Sequence, residues 1–443
     1  MTESGLSGGK GCRGGPYAGA VPFLSDLRTV LRGRGFRRLF TVRLVSQGSD
    51  GAFQAALASL VFFSPERAAT AHAAAGAFAV SVLPYTLVGP FAGVLLDRWR
   101  RRQVLIAANA VRTVMVVGVA LLVSQHVVGL ALYAAALGCL SVNRFFLSGL
   151  GASLPHVVRN DELVMANSVA PTCGTIMAIV GGGLAYGLRE LLGASDGTDA
   201  TLLLLAAAGY AASALLTLRL RIGQLGPDHD AEPQPSEGLQ AIVDGARHLY
   251  QRRPAWDALA AMGVHRFAYG ITVITTILLC RNYFNDPADV EAGLRLLALA
   301  FGASAVGFGL AAVLTPIATD RWGPSGVIWR CFAVAAVVEA LFITWFVVPV
   351  ALTGALLLGV CAQGSKICVD TIVQEFVDDD YRGRVFSFYD TVFNLAFVVA
   401  AAVAALLLPS DGYSRGVFAI VSLLYVLAAV GYGRTAPVVA APG

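Results

Sequence analysis

About twelve stretches of roughly twenty mostly apolar residues follow one another along this 443-residue chain, and nothing else constrains its fold as strongly. They lie near 41–63, 73–96, 103–124, 127–150, 163–190 and 200–220, then near 256–280, 293–316, 326–347, 350–373, 385–408 and 415–433. A run of that length crosses the hydrocarbon core of a bilayer as a helix, where it satisfies its own backbone hydrogen bonds. The expected fold class is an all-α polytopic membrane protein with the lipid bilayer as its solvent. Only 14% of the residues are charged and 56% are hydrophobic. A soluble domain carries about 25% charged residues, so that class is excluded. The net charge of +4 is small, and the arginines sit at the ends of apolar runs, so no nucleic-acid partner is expected.

The arginines also set the orientation. One set of loops carries Arg28, Arg32, Arg34, Arg37 and Arg38, then Arg98 to Arg102, then Arg219, Arg221, Arg247, Arg252 and Arg253. The opposite loops carry single arginines such as Arg67, Arg189 and Arg415. Positively charged loops stay on the cytoplasmic side, which places both termini there. Arginine far outnumbers lysine (Lys10 and Lys366 alone), a bias of GC-rich bacterial genomes, so the expected location is a bacterial inner (plasma) membrane. Residues 1–21 have no apolar core for a cleavable signal peptide. The seven cysteines form no CxxC pair, so no metal site or disulfide framework is expected.

The expected division is a disordered cytoplasmic tail over 1–35, six helices over 36–221, a polar linker over 222–253, six more helices over 254–434, and a tail over 435–443. Gly238 to Tyr250 in the linker reads as an amphipathic helix with Leu239, Ile242, Val243, Ala246 and Leu249 on one stripe. The halves repeat at an offset of about 222 residues: Asp97 maps to Asp320, Cys139 to Cys361 and Arg144 to Lys366. The turn Gly93–Leu105 (GVLLDRWRRRQVL) puts Asp97 at the end of one span and Arg98, Arg101 and Arg102 just beyond it. Such a pairing can act as a latch that breaks and remakes. Its weaker copy, Thr315–Gly326, carries Asp320 and Arg321.

These features resemble the major facilitator superfamily, and the resemblance covers essentially everything after Phe36. Three segments are similar to the branch of enterobactin-type siderophore exporters and macrolide-type efflux proteins: LVSQGSDGAF from Leu44, LVMANS from Leu163 and QEFVDDDYRGRVFSFYD from Gln374. The resemblance implies twelve transmembrane helices in two pseudo-symmetric six-helix bundles, the major facilitator fold, working by alternating access. It also implies that the Gly93–Arg102 turn meets the cytoplasmic end of helix 11, where Asp390 follows Arg382 and Arg384.

Charged and polar groups inside a span are costly, so each is a candidate for function. Helix 1 carries Gln47, Asp50 and Gln54 at spacings of three and four, a shared face expected to look into a central cavity. Asp50 there binds a proton or a substrate cation, or else pairs permanently with an arginine as a strut. Helix 4 supplies Asn143 and Arg144, at a place where the superfamily often has an arginine linked to proton coupling. The surrounding RFFLSGLGAS matches that motif only loosely. Arg112 and Asn109 on helix 3 are weaker candidates. Helix 7 adds His265, Arg266 and Tyr269, helix 10 adds Lys366 and Asp370 one turn apart, and helix 11 adds Asn394 four residues after Asp390.

No phosphate-cradling GxxxxGKS loop and no catalytic constellation appear, so the chain is expected not to be an enzyme and to need no cofactor beyond a proton gradient. The leading expectation is a proton-coupled exporter of a small amphipathic compound, with both halves in one chain able to act as a monomer. An importer on the same fold and a non-transporting sensor or scaffold are the alternatives.

Overall fold

The structure, a computed structural model, describes residues 21–58, 99–125, 130–193, 195–226, 239–287 and 289–435. The expected span at 73–96, with Gly93, Asp97 and Arg98, lies outside the described residues.

The described chain is helical. In order come α1 (Val21–Arg32), α2 (Arg34–Ala58), α3 (Arg101–Ser124), α4 (Leu130–Ser153), α5 (Leu163–Leu192), α6 (Asp196–Thr217), α7 (Leu239–Gln251), α8 (Arg253–Leu278), α9 (Val290–Thr344), α10 (Val348–Phe376), α11 (Asp379–Leu407) and α12 (Arg415–Thr435). Nine of the described helices are long and apolar enough to cross a bilayer. The longest, α9, has 55 residues but breaks at Gly323, whose φ of 65° lies outside helical space. Its two arms run antiparallel. Along α10, Gly359 and Gly364 meet Ser304 and Thr315 of the first arm in rising order. Gly354 and Gly364 meet Phe342 and Cys331 of the second in falling order. The expected spans at 293–316 and 326–347 are these two arms.

Local chemistry fixes several ends. Ser195 caps α6 by accepting a hydrogen bond from the Thr198 amide at 3.2 Å, and Asp196 and Asp199 favour the same positive terminus. Asp289 caps α9 through the Ala292 amide at 3.0 Å.

The helices pack as two bundles, α2–α6 and α8–α12, each around its own apolar core. In the first, α2 and α5 touch backbone to backbone: a Cβ on Gly51 would collide with the Ala178 carbonyl, and one on Gly181 with the Gly48 carbonyl. Small residues allow that approach where hydrophobicity cannot drive helices together. The bundles meet where α5 packs on α9 and α10, and α4 on α11.

One expectation at the N-terminus is corrected. Within the tail expected to be disordered, Val21–Arg32 is a helix, because Val30 buries itself (2% exposed) where α1 packs on α2 and α5. The amphipathic helix of the linker is present as α7, docked on α8 and α11 with Leu249 fully buried.

Candidate functional site

Polar contacts between the bundles gather at one end, the end that carries the arginine-rich loops. Arg101 opens α3 and is fully buried. Its guanidinium donates to the carbonyls of Ala152 (3.0 Å) and Leu225 (3.2 Å), and across the interface to Asp379 Oδ1 (2.9 Å) and the Asp379 carbonyl (3.0 Å). His156 Nε2 lies 3.2 Å from Asp379 Oδ2, and Arg382 grips Asp379 Oδ1 at 2.6 Å from within α11. Gly226 lets the chain close over this cluster: its φ is 71°, and a Cβ there would fall among His156, Asp379 and Arg101. Alongside, Asn167 of α5 donates to Gln374 Oε1 (2.6 Å) and Thr371 Oγ1 (3.1 Å) of α10, while Gln374 donates to the Gly151 carbonyl (3.1 Å). These bonds shut that end of the interface.

Arg101 of the basic turn does meet the start of α11, at Asp379 and not at Asp390. Asp97, the acid expected beside these arginines, lies outside the described residues. Arg102 donates instead to the Leu218 carbonyl at 3.1 Å, capping α6. Asp320 and Arg321 are both exposed beside the Gly323 break and make no ion pair among the described residues, so the second copy of the motif does not latch. The reason is geometric: the break points that turn at solvent, whereas the start of α3 lies where α4 packs on α11. Asp379 had a signal in the sequence, the acidic run Asp378–Asp380 at the start of α11. Asn167 lies inside the quoted LVMANS run.

Deeper in the molecule the candidates divide into two groups. Asp50 does not face the interface. It forms an ion pair with Arg112 Nη2 of α3 and accepts a hydrogen bond from the Tyr210 hydroxyl of α6 at 2.8 Å. Arg112 also lies 3.8 Å from the Tyr210 ring centre and donates to Ser46 and Asn109. Asn109 in turn donates to Ser213 at 2.9 Å. The expected shared face fails because residues three apart on a helix differ by about 60° in direction. That angle is enough to turn Asp50 towards Ser46 and Phe53, the buried side of α2. Gln47 stays near the interface and accepts from Arg43 Nε at 3.0 Å, whereas Gln54 is exposed.

The second bundle has a comparable polar core. His265 Nδ1 pairs with the Tyr425 hydroxyl at 3.1 Å and stacks on Phe332. Thr272 donates to the fully buried Glu339 at 2.6 Å. His265 therefore serves contacts between helices inside one bundle.

The remaining candidates converge between the bundles. From α4, Ser148 donates to Asp390 Oδ2 of α11 at 2.5 Å, and Arg144 acts electrostatically on the same carboxylate. On α10, Lys366 holds Asp370 at 2.6 Å and lies 5.5 Å from the Tyr389 ring centre. Asp370 also acts on Arg43 across the interface. Arg266 of α8 rests on the Phe393 ring at 3.8 Å, with Phe397 at 4.9 Å and Tyr269 at 5.9 Å. Asn143 Oδ1 is buried with no hydrogen-bond partner among the described residues, and Asn394 donates to the Asp390 carbonyl within its own helix at 2.7 Å. Arg43 of α2 joins this group, and only its tertiary neighbours single it out.

The described residues thus form two helical bundles, with a seam closed by polar contacts at one end and charges gathered midway along it. Known proteins agree. A family model described as Major Facilitator Superfamily matches residues 39–295 and 267–441. An uncharacterised MFS-type transporter of Mycobacterium tuberculosis is 38% identical over 383 residues, 86% of each chain. Among solved structures, a bacterial homologue of the iron transporter ferroportin in its outward-facing state superposes with a TM-score of 0.69 at 16% identity, over 90% of this chain and 98% of that one. The fucose:proton symporter of E. coli gives 0.62 at 12% identity, over 94% and 99%. With both bundles matched by the family model, the chain belongs to the Major Facilitator Superfamily of membrane transporters, which are not enzymes.

Proposed function

We propose that this transporter exports a small amphipathic compound from the bacterial cytoplasm in exchange for protons, as its resemblance to siderophore and drug exporters suggests. In this reading the latched, arginine-rich end is the cytoplasmic one, with both termini on that side, and it is the end that an alternating-access cycle closes in its outward-facing state. The proton gradient supplies the energy, and a single chain is the working unit.

One observation carries this reading. Asp390 is a carboxylate inside the membrane whose partners, Ser148 and Arg144, belong to the opposite bundle. Its environment must change when the bundles rock apart, which is what coupling a proton to the opening side requires. Asp50, the first choice from sequence, is tied to Arg112 within one bundle and keeps its partner whichever side is open. The coupling role passes to Asp390, with Asp370 as the second carboxylate of the site.

The test begins with a panel of amphipathic drugs and siderophores scored for growth sensitivity in a deletion strain. Compounds to which wild-type protein restores resistance are then added to everted vesicles while lumenal proton release is followed. Asp390→Asn is expected to lose both resistance and substrate-driven proton release while inserting normally. Full proton release by that variant would refute the coupling role, and uptake into whole cells would refute export.

A further inference from the structure

We infer that the seam between the bundles is built for an organic anion: an amphipath whose carboxylate or phosphate pairs with Arg266, in a field to which Arg43 adds. This rests on the transport reading above and names the substrate class for the same site. Four cations converge where the bundles meet, Arg43 and Arg144 from one side and Arg266 and Lys366 from the other, against the two carboxylates Asp370 and Asp390. Both carboxylates are already engaged. Asp370 is bonded to Lys366, and Asp390 takes the Ser148 hydroxyl and faces Arg144.

Arg43 and Arg266 are left as the surplus. The hydrogen bond of Arg43 goes to the neutral Gln47, and its electrostatic contact with Asp370 is shared with Lys366. Arg266 makes no ion pair among the described residues, and its Nε is buried without a hydrogen-bond partner. A partly buried cation inside a span is costly without a counter-charge, and a membrane protein keeps one where a ligand supplies the missing charge.

The surroundings of Arg266 give the shape of that ligand. The guanidinium carbon lies 3.8 Å from the Phe393 ring centre and 4.9 Å from that of Phe397. A guanidinium edge matches the two oxygens of a carboxylate or phosphate. The same aromatic rings offer an apolar wall for the rest of the molecule. A cationic substrate would meet repulsion from both surplus arginines.

The local potential is measurable without knowing the natural substrate. Cys173 on α5 is partly exposed and lies within electrostatic reach of Arg43. In full-length protein in lipid nanodiscs, with the other six cysteines replaced by alanine, Cys173 is labelled with an anionic and with a cationic methanethiosulfonate reagent. The rate ratio, normalised to a free thiol, is expected to favour the anion by about tenfold, the effect of roughly 1.4 kcal/mol of potential, and to fall in Arg43→Gln and Arg266→Gln. Binding of naphthylacetate, naphthylethanol and naphthylethylammonium is compared in the same nanodiscs. The acid is expected to bind best, and Arg266→Gln to remove its advantage.

A normalised ratio of one, a preference for the cationic reagent, an unreactive Cys173, or an acid that binds no better than the alcohol would each overturn the inference. Charge-selective labelling and binding without pH-driven flux would leave the inference standing and sink the coupled-export reading instead.

Discussion

Replacing Asp379 by asparagine removes the acid that, among the described residues, joins Arg101, His156 and Arg382, while preserving its size. Arg101 would keep its bonds to the carbonyls of Ala152, Leu225 and residue 379, but lose the charged bond at 2.9 Å, and His156 would lose its contact at 3.2 Å. The Asp379 side chain is only 22% exposed and Arg101 is fully buried, so solvent screens the pair weakly. A hydrogen bond to a charged group is worth about 1.5–3 kcal/mol, which lowers the ratio of closed to open cytoplasmic ends by about 10- to 150-fold. From a resting ratio of about 99:1, the open population would rise from about 1% to between roughly 10% and 60%.

The reporter is a cysteine at Gly151 in a cysteine-free background. A Cβ there makes ordinary contact with Phe386 at 3.6 Å, so the substitution fits, and the site lies behind the Gln374 bond to the Gly151 carbonyl. Its labelling rate by a water-soluble maleimide in everted vesicles should rise by about tenfold or more in Asp379→Asn. It should stay at the parent value in Asp380→Asn, which removes the same charge from an exposed neighbour. Equal rates in parent and Asp379→Asn, or an equal rise in both variants, would show that this contact does not hold the end closed.

Two further outcomes follow from the same contacts. Asp50→Ala strands the buried Arg112 and should cost about 3–5 kcal/mol of stability, seen as loss of the folded monomer peak on heating in detergent. Asp50→Leu with Arg112→Met should recover most of that loss, and no recovery would show that the pair is not an isolated strut. His248 on α7 is stacked on Tyr381 (4.2 Å between ring centres), with Asp378 Oδ2 3.6 Å away. Burial pushes its imidazole below the ordinary value of 6.5, aided by Arg252 and Arg384 and opposed by Asp378. The folded state thus favours the neutral ring. Its contribution is complete above pH 6.5 and is lost as pH falls through the depressed value. Acidification should therefore loosen α7 from α11, exposing the linker to protease, and His248→Gln should flatten that pH dependence. A wild-type protein whose protease sensitivity does not change from pH 7.5 to 5 would contradict this account.

Much of the architecture was legible residue by residue. The spans over 103–124, 163–190 and 415–433 lie within a few residues of α3, α5 and α12. Whether a segment enters lipid depends on the summed transfer free energy of about twenty consecutive side chains, a quantity that needs no knowledge of neighbours. The amphipathic stripe of α7 was readable for the same reason, its period being local. The general kind of site was readable too, since every charge inside a span marks a cost that something must offset.

Partner choice was not readable. Arg101 and Asp379 are 278 residues apart, and only the packing of α4 on α11 brings Asp379 within reach of the start of α3. Asp390, expected to contact the same turn, sits some three helical turns further along α11 and bonds Ser148 instead. Asp50 and Gln47 share a stripe on paper, yet a rotation of about 60° sends one to Arg112 inside a bundle and leaves the other beside Arg43 at the seam. The sequence by itself determined which segments dissolve in the membrane and which residues are too costly to be there without purpose. Only the tertiary structure decided which of those charges neutralise one another and which two arginines remain without an acid of their own. Hydropathy adds up along the chain, whereas an ion pair depends on a few ångströms between atoms that the chain places far apart.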